Sequence, residues 1–404
     1  MEKSGKFRLT SLERNWILYD VGNSAFVLMV ATLIPIFFNA LAEAGGLSSV
    51  EYLAYWGYAS SAVTVITAVL SPILGTVADT KGFKKPIFIL CVFVGIVGCC
   101  AMGAASAWLP FLVIFVIAKV GFSGSLVFYD SMLSDVTTPE RMDEVSSRGY
   151  AWGYIGSCVP FVVCLGLVLG AGSIGISQMT ALNLALLLTA AWWLLTTLPL
   201  LKSYKQLYYV EVEKHAVRQS FARIGHTLRH LPEDKQVFWF LLAFFCYIDG
   251  VYTIIDMATA YGTALGLDTT GLLLALLVTQ IVAFPSAKLI PVCIAAYAGI
   301  AVFAFFLTRQ WQFWVLAVIV GMFQGGVQAL SRSHFAKIIP PEKSGEYFGL
   351  FDICGKGASF LGTMIVSVGS QLTGSANVGV GSLIVLFIVG FVLFRVSCRQ
   401  GETA

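Results

Sequence analysis

Residues 75–85 read GTVADTKGFKK and stand between two long apolar runs, residues 53–78 and 87–106. An apolar run of about 20 residues is long enough to cross the hydrocarbon core of a bilayer as a helix. A short loop rich in lysine between two such runs is typical of a turn on the cytoplasmic side of a membrane protein. This stretch therefore predicts two consecutive transmembrane helices joined by a basic loop.

The composition of the whole chain agrees with this prediction. Of the 404 residues, 58% are apolar and 12% are charged, and the mean hydropathy is +0.84. Soluble chains have roughly 45–50% apolar and about 25% charged residues, so a soluble protein of this composition would expose large apolar patches. The composition excludes an ordinary soluble enzyme, a nucleic-acid binder and a disordered scaffold, and the net charge of +3 is too small to indicate a polyanionic partner.

Twelve apolar runs are long enough to span a membrane as helices. They cover residues 16–40, 53–78, 87–106, 108–129, 149–170, 179–201, 237–262, 270–287, 288–307, 311–331, 346–370 and 378–396. The first run is too long for a cleavable signal and contains Asp20 and Asn23, so we expect it to remain in the protein. Pro285 and Pro291 flank Lys288, which predicts the turn between the eighth and ninth runs.

Lysine and arginine are distributed unequally between the two predicted sides of the membrane. The polar segments on one side hold 22 of the 25, Arg332 included, and the other side holds Arg309 alone. Lys119 and Lys356 fall within apolar runs. Because cytoplasmic segments carry the excess of positive charge, we expect both termini and the central loop in the cytoplasm. The short loops favour a multi-pass protein of a bacterial inner membrane, and a vacuolar membrane is the alternative.

The central polar segment divides six runs from six. It predicts a first helical bundle over residues 1–201, a cytoplasmic linker over 202–236 and a second bundle over 237–404. Within the linker, apolar residues recur every three or four positions, which predicts an amphipathic helix on the membrane surface. They are Val217, Phe221, Ile224, Leu228 and Leu231.

The two bundles also resemble each other in sequence. PER at residues 139–141 precedes YAWGYIG at 150–156, and PEK at 341–343 precedes FGLFDICG at 348–355. The order and orientation are the same, which indicates a parallel repeat. Two six-helix halves related by an axis along the membrane normal are typical of secondary transporters, whose substrate sites lie between the halves near the bilayer midplane.

The loop at 75–85 resembles the signature of the major facilitator superfamily, G-x-x-x-D-[RK]-x-G-[RK]-[RK], although Thr80 stands where a basic residue is usual. The resemblance implies an all-α fold of twelve transmembrane helices, and a latch formed by this loop at the inner gate. The residues at the signature positions are Gly75, Asp79, Gly82, Lys84 and Lys85. The equivalent loop of the second half is about ten residues shorter and carries no such signature.

Three further motifs resemble the vacuole-effluxer-like branch of that superfamily. They are WILYDVGNSAF at residues 16–26, RGYAWGYIG at 148–156 and GGVQALSRS at 325–333. Val21-Gly22 departs from the Trp-Ala expected of the branch. Its best-known members are autophagy-related vacuolar amino-acid effluxers, so the resemblance implies solute export, with amino acids among the expected solutes. It also implies that the first, fourth, seventh and tenth spans line the cavity.

Ionisable residues inside the apolar runs are candidates for function, because an unpaired charge in hydrocarbon is costly. Asp249 lies near the middle of the seventh run and is the strongest candidate for proton coupling. The candidate substrate and proton pathway consists of Asp20, Lys119, Asp249, Asp256, Asp352 and Lys356, with the neutral Tyr19, Asn23, Tyr252 and Gln328.

Each of these residues also has a structural interpretation. Asp352 and Lys356 stand four residues apart, which favours an ion pair within one helix. Lys119 could neutralise Asp20 or another acid of the first half. Asp249 could be a hydrogen-bonded structural acid, and the neutral polar groups could form hydrogen bonds between helices.

The function that we predict is secondary active transport, specifically proton-linked export of small polar solutes such as amino acids by alternating access. The nearest alternative is an exporter of drugs or toxic metabolites. A non-transporting receptor or assembly protein is the alternative of another class, and an intramembrane enzyme is disfavoured because no apolar run contains a histidine. We expect no cofactor, metal or nucleic-acid partner, and a monomer in the bilayer.

Overall fold

The computed structural model describes residues 7–211, 225, 227, 229–282, 289–357 and 360–402, and these residues are almost entirely helical. The helices are α1 (Ser11–Ala31), α2 (Leu33–Ala44), α3 (Ser49–Ala78), α4 (Lys84–Met102), α5 (Trp108–Ser131), α6 (Leu133–Val136), α7 (Met142–Leu169), α8 (Gln178–Ser203), α9 (Lys235–Ala264), α10 (Thr269–Val282), α11 (Ile290–Phe305), α12 (Gln310–Ile338), α13 (Ser344–Gly357), α14 (Phe360–Thr373), α15 (Ala376–Gly381) and α16 (Ile384–Glu402).

Ten segments of the described chain are long and apolar enough to cross a membrane. They match ten of the twelve predicted runs. The other two runs correspond to the shorter helices α10 and α11, so the count of twelve spans stays a prediction. The predicted turn between these two helices falls on residues 283–288, which lie outside the described residues.

Local sequence signals explain where several helices begin and where the first one breaks. A capping box between Thr10 and Glu13 starts α1, and another between Ser48 and Glu51 starts α3. The first predicted span is divided at Thr32 into α1 and α2. Pro35 stands three residues later and has no N–H group to continue the ladder of hydrogen bonds, which accounts for the interruption.

The helices pack into two groups that meet along a shared interface. In the first group, α1 packs against α7 and α8, and α5 packs against α3 and α4. In the second group, α9 packs against α16, and α12 packs against α10 and α11. The two groups meet where α3 and α5 contact α13 and where α7 contacts α12. Many large apolar side chains remain exposed on the outer surfaces, as a lipid environment requires.

One end of the bundle is formed by the polar segments 79–83, 137–141, 204–211 and 339–343, and we call it the charged face. Lys84 Nζ lies 3.5 Å from Asp135 Oδ2 there. The start of the linker also crosses this face, where a single β-bridge joins Val210 to Thr80. The predicted amphipathic helix of the linker falls mostly on residues 212–224, 226 and 228, outside the described residues.

Candidate functional site

At the charged face, helices α3 and α13 of the two halves pack unusually closely. Gly75 and Gly345 lie so near each other that a Cβ added to either would overlap the other's carbonyl group. A Cβ added to Gly349, one turn along α13, would lie 2.6 Å from the Cα of Pro72. Glycines at helix crossings let two backbones approach directly. These contacts fix the spacing of the halves at this end.

Asp79 joins the halves by capping a helix of the opposite half. Its two carboxylate oxygens accept hydrogen bonds from the N–H groups of Gly345 and Glu346, at 2.7 and 2.8 Å. Because α13 begins at Ser344, these N–H groups have no acceptor within their own helix, and its dipole favours a negative charge there. Lys84 reinforces the contact, since its Nζ lies 3.8 Å from Asp79 Oδ1 and donates to Ser344 Oγ at 2.8 Å.

The remaining predicted gating residues contact the start of the linker. Gly82 adopts a φ of 80° in the tight turn after Asp79, and its N–H donates to Gln206 Oε1 at 2.9 Å. Lys85 Nζ donates to the carbonyl oxygen of Tyr204 at 3.5 Å. The structure therefore places Gly75, Asp79 and Lys84 between the halves, and Gly82 and Lys85 between the first half and the linker.

Closure of the charged face is expected to strengthen as the pH falls from about 8 to about 5.5. Burial raises the pKa of Asp79 to about 7, although the charge of Lys84 and the two N–H groups act to lower it and the charge of Glu346 adds to the rise. When this face opens, the carboxyl meets water and its pKa returns toward 3.8. Closing therefore takes up a proton, so acid favours the closed state.

This pH dependence is measurable as thiol labelling of a Ser344→Cys variant from the charged face, read at position 344 by peptide mass spectrometry. Ser344 is fully buried in the closed state. Each labelling rate is divided by the rate at which the same reagent labels a free cysteine peptide at that pH, because the reactive thiolate itself becomes scarcer in acid. The corrected labelling should decrease as the pH is lowered, and Asp79→Asn should remove the dependence. Equal corrected labelling across the range in the Ser344→Cys protein that keeps Asp79 would contradict the expectation.

Deeper between the halves lies a charged centre around Arg332 of α12, which is 2% exposed. Its Nη1 lies 2.9 Å from Asp130 Oδ1 of α5 and 3.8 Å from Asp20 Oδ2 of α1. Its Nε and Nη2 donate to the hydroxyl and carbonyl oxygens of Ser146 of α7, at 2.9 and 3.1 Å. Three helices of the first half thus hold one arginine of the second.

Aromatic rings enclose this charged centre. The guanidinium carbon of Arg332 lies 4.6 Å from the ring centre of Trp16 and 4.3 Å from that of Tyr150. Arginine stacks well on aromatic faces while its planar edge makes hydrogen bonds, so one side chain satisfies both kinds of contact. The centre is therefore desolvated, and its charges are compensated mainly by each other.

The sequence prediction for Arg332 was wrong. It assigned this residue to a polar segment after a span ending at residue 331, whereas α12 continues to Ile338 and buries the side chain. The alternative in which Lys119 neutralises Asp20 was also wrong, because Asp20 pairs with Arg332. Asp130 was not among the predicted site residues. A sequence signal did exist: the apolar pattern continues past Arg332 to Phe335 and Ala336, which extends the helix.

Several predicted pathway residues do meet between the halves. The hydroxyl of Tyr154 on α7 donates to Gln328 Oε1 of α12 at 3.2 Å. Ser71 of α3 donates to Asp352 Oδ2 of α13 at 2.8 Å, and the predicted pair of Asp352 with Lys356 is present. These contacts form a polar path that continues from the charged face toward the middle of the bundle.

Other predicted residues pack mainly within one half. Tyr19 is fully buried in the first half and donates to Ser125 Oγ at 2.7 Å, and Asn23 donates to the carbonyl oxygen of Tyr19 at 3.1 Å. Asp249 is fully buried in the second half, where its Oδ1 accepts the N–H of Gly362 at 3.0 Å. On the same helix, α9, Tyr252 is half-buried and Asp256 is exposed.

Comparison with known families gives a match along nearly the whole chain. The family described as "Vacuole effluxer Atg22 like" matches residues 11–140 and 134–403. The chain belongs to this family. An Atg22-like relative, the "uncharacterized MFS-type transporter YxiO" of Bacillus subtilis (strain 168), is 41% identical, and the alignment covers 98% of this chain and 97% of that protein.

Fungal members of the Atg22-like family are more distant. "Autophagy-related protein 22" of Saccharomyces cerevisiae (strain S288c) is 26% identical over 57% of this chain and 53% of its own length. The protein of the same name from Yarrowia lipolytica is 26% identical over 62% and 49%. The chain thus spans about half the length of these fungal relatives.

Solved structures show the fold of this Atg22-like protein. The human organic anion transporter MFSD10 superposes with a TM-score of 0.68 at 16% identity, covering 95% of this chain and 99% of that one. A bacterial homologue of the iron transporter ferroportin, in an outward-facing state, also gives 0.68 at 16% identity, covering 97% and 98%. The fold is that of the major facilitator superfamily, and the chain is a multi-pass membrane protein and an MFS-type transporter.

Proposed function

We propose that this protein is a proton-linked exporter of small polar solutes, amino acids among them, that works by alternating access. The observation that carries the proposal is the charged centre, in which Asp20, Asp130 and Ser146 of one half hold Arg332 of the other. When two halves separate, water can solvate charged groups of this kind, whereas exposing a continuous apolar core to water is unfavourable. The halves are therefore joined by contacts suited to opening and closing.

The direction of the proposed transport is supported by the arrangement of charge. The polar contacts between the halves reach from Asp79 at the charged face to Tyr154 and Gln328. The excess of lysine and arginine favours a cytoplasmic position for this face, and with it cytoplasmic termini in a bacterial inner membrane. In this arrangement the structure corresponds to a state closed toward the cytoplasm. The family description, "Vacuole effluxer", supports export.

Two acids, Asp249 and Asp20, are candidates for the residue that carries the transported proton. Asp249 is buried beside the first turn of α14, where its Oδ1 accepts a hydrogen bond from the N–H of Gly362. Asp20 has a buried Oδ2 with no hydrogen-bond partner among the described residues, 3.8 Å from Arg332. Either acid could take up a proton when the halves separate and the environment of its carboxyl changes.

The test is solute uptake into proteoliposomes under an imposed pH gradient, screened with a library of amino acids and other small polar solutes. We expect at least one amino acid to move in response to the gradient. If Asp249 carries the proton, Asp249→Asn should abolish the response to the gradient and retain solute counterflow. If Asp20 carries the proton, Asp20→Asn should have this effect instead. Gradient-driven uptake that survives in both variants would remove both acids from the mechanism, and failure of every amino acid would contradict the proposed substrates.

The alternative of a drug exporter finds less support in the described residues. An apolar cavity lies within the second half, lined by residues that include Tyr261, Thr279, Phe313 and Gln324, but its volume is about 40 Å³. A cavity of this size holds only a few water molecules, so it has no room for a drug-sized solute in this state. The polar path between the halves suits a small hydrophilic solute better.

A further inference from the structure

Lys119 lies in the middle of α5, on the side of that helix that faces the second half. It precedes Asp130 by eleven residues, which is about three helical turns, so the two side chains share one face and stand about 16 Å apart. Asp130 meets Arg332 of the second half, which fixes the direction of this face. Lys119 is half-buried, and its Nζ lies 4.6 Å from the ring centre of Phe122 and 5.9 Å from that of Phe26.

Lys119 has no carboxylate partner among the described residues, in contrast to Arg332 and Lys356. Arg332 is paired with Asp130 and Asp20, and Lys356 is paired with Asp352. Within the described part of the chain, no carboxylate forms an ion pair or hydrogen bond with Lys119, and its ammonium group lies over the rings of Phe26 and Phe122. Rings stabilise an ammonium group, but they do not neutralise it.

The positive charge of Lys356, on a helix of the second half, adds to this imbalance. Lys356 is close enough for its positive charge to act on Lys119, and the helices that carry them, α13 and α5, pack together. Asp352, the acid of that pair, already accepts from both Lys356 and Ser71. The carboxylate of Asp352 is therefore already engaged, and the charge of Lys119 stays uncompensated in a low-dielectric region, where such charge is costly. An entering anionic group would remove that cost.

We propose that Lys119 is a substrate-binding residue that takes the carboxylate of the transported solute, with Lys356 adding positive charge beside it. The proposal rests on the proposed function and narrows its solutes to those that carry a carboxylate. The three N–H donors of the ammonium form charge-assisted hydrogen bonds with the carboxylate oxygens. Phe26 and Phe122 hold the ammonium in place between substrates. A solute in which an amide replaces the carboxylate gains none of the charge compensation.

The test measures solute binding to the full chain in lipid nanodiscs, as the dose-dependent rise of the thermal unfolding midpoint. The probes are L-amino acids, their amides, and monocarboxylates without an amino group. In the parent protein we expect an amino acid to bind at least about tenfold more tightly than its amide, since a hydrogen bond to a charged group contributes that much. Lys119→Gln should lose this preference, and Lys119→Arg should keep part of it.

Lys205→Gln is the matched control, because Lys205 is an exposed lysine of the linker and should leave the preference unchanged. The proposal is overturned if Lys119→Gln unfolds at the same temperature as the parent protein and still prefers acid to amide. It is equally overturned if amides raise the parent's midpoint as much as the acids do, or if no carboxylate raises it. Lys119-dependent carboxylate binding without uptake in proteoliposomes would instead refute the transport function and leave the binding site standing.

Discussion

Replacing Arg332 with alanine is expected to abolish transport and to destabilise the folded protein by about 3–5 kcal/mol, because it leaves the buried Asp20 and the half-buried Asp130 without their cation. The guanidinium of Arg332, which is 2% exposed, contacts Asp130, Asp20 and Ser146. The measurement is thermal unfolding of the detergent-solubilised protein, together with solute flux in proteoliposomes. Arg332→Lys should be intermediate, since lysine keeps the charge but has no planar fork with which to bond all three partners.

Arg148→Ala provides the control for this prediction. Arg148 stands on α7 and forms a partly exposed pair with Glu144 one turn away, at 2.7 Å. Exposed pairs of this kind contribute about 0.3–0.5 kcal/mol, so the control should retain both stability and flux. An Arg332→Ala protein with the stability and flux of the control would show that the charged centre does not join the halves.

Replacing Gly75 with valine is expected to hold the charged face open and to stop transport without unfolding either bundle. A Cβ at position 75 overlaps the carbonyl group of Gly345, and this neighbour is backbone that cannot rotate away. The halves must then separate, which also breaks the two hydrogen bonds that Asp79 accepts. Thiol labelling of Ser344→Cys from the charged face should rise at least about tenfold, because each hydrogen bond to the Asp79 carboxylate contributes about 1.5 kcal/mol or more.

Gly57→Val is the control that shows whether the increased labelling and the loss of transport in Gly75→Val result from the contact between the halves. Gly57 lies on the same helix, α3, and a Cβ there meets no atom within 4 Å. The control carries the same change of helix propensity, so any loss common to both variants reflects α3 itself. If position 344 stays protected in Gly75→Val, close packing of these glycines is not required for closure.

The spanning helices were predictable from the sequence to within a few residues. The runs predicted at 53–78 and 108–129 correspond to Ser49–Ala78 and Trp108–Ser131. Hydropathy predicts these helices well because a backbone exposed to lipid must form all its hydrogen bonds within the protein. A long apolar helix meets this requirement. The prediction failed at the end of α12, where a buried arginine resembled the start of a loop.

The candidate site was predictable only in part. Asp79 was found because its loop resembles a known signature, and the pair of Asp352 with Lys356 follows from their spacing of four. Asp130 and Arg332 were assigned to polar segments, because one sequence does not show which distant charges meet. Their pairing joins residues 202 positions apart.

The sequence by itself determined that this chain enters a membrane as helices in two similar halves. Each spanning segment must be apolar over its own length to lie in lipid, so this requirement is visible in the local composition. Only the tertiary structure decided which charges are compensated. Arg332 is neutralised by acids from other helices. Lys119 also lies within a spanning helix, but its ammonium group contacts aromatic rings. The cost of a buried charge depends on what stands within a few ångströms of it, and that is set by packing between helices rather than by position along the chain.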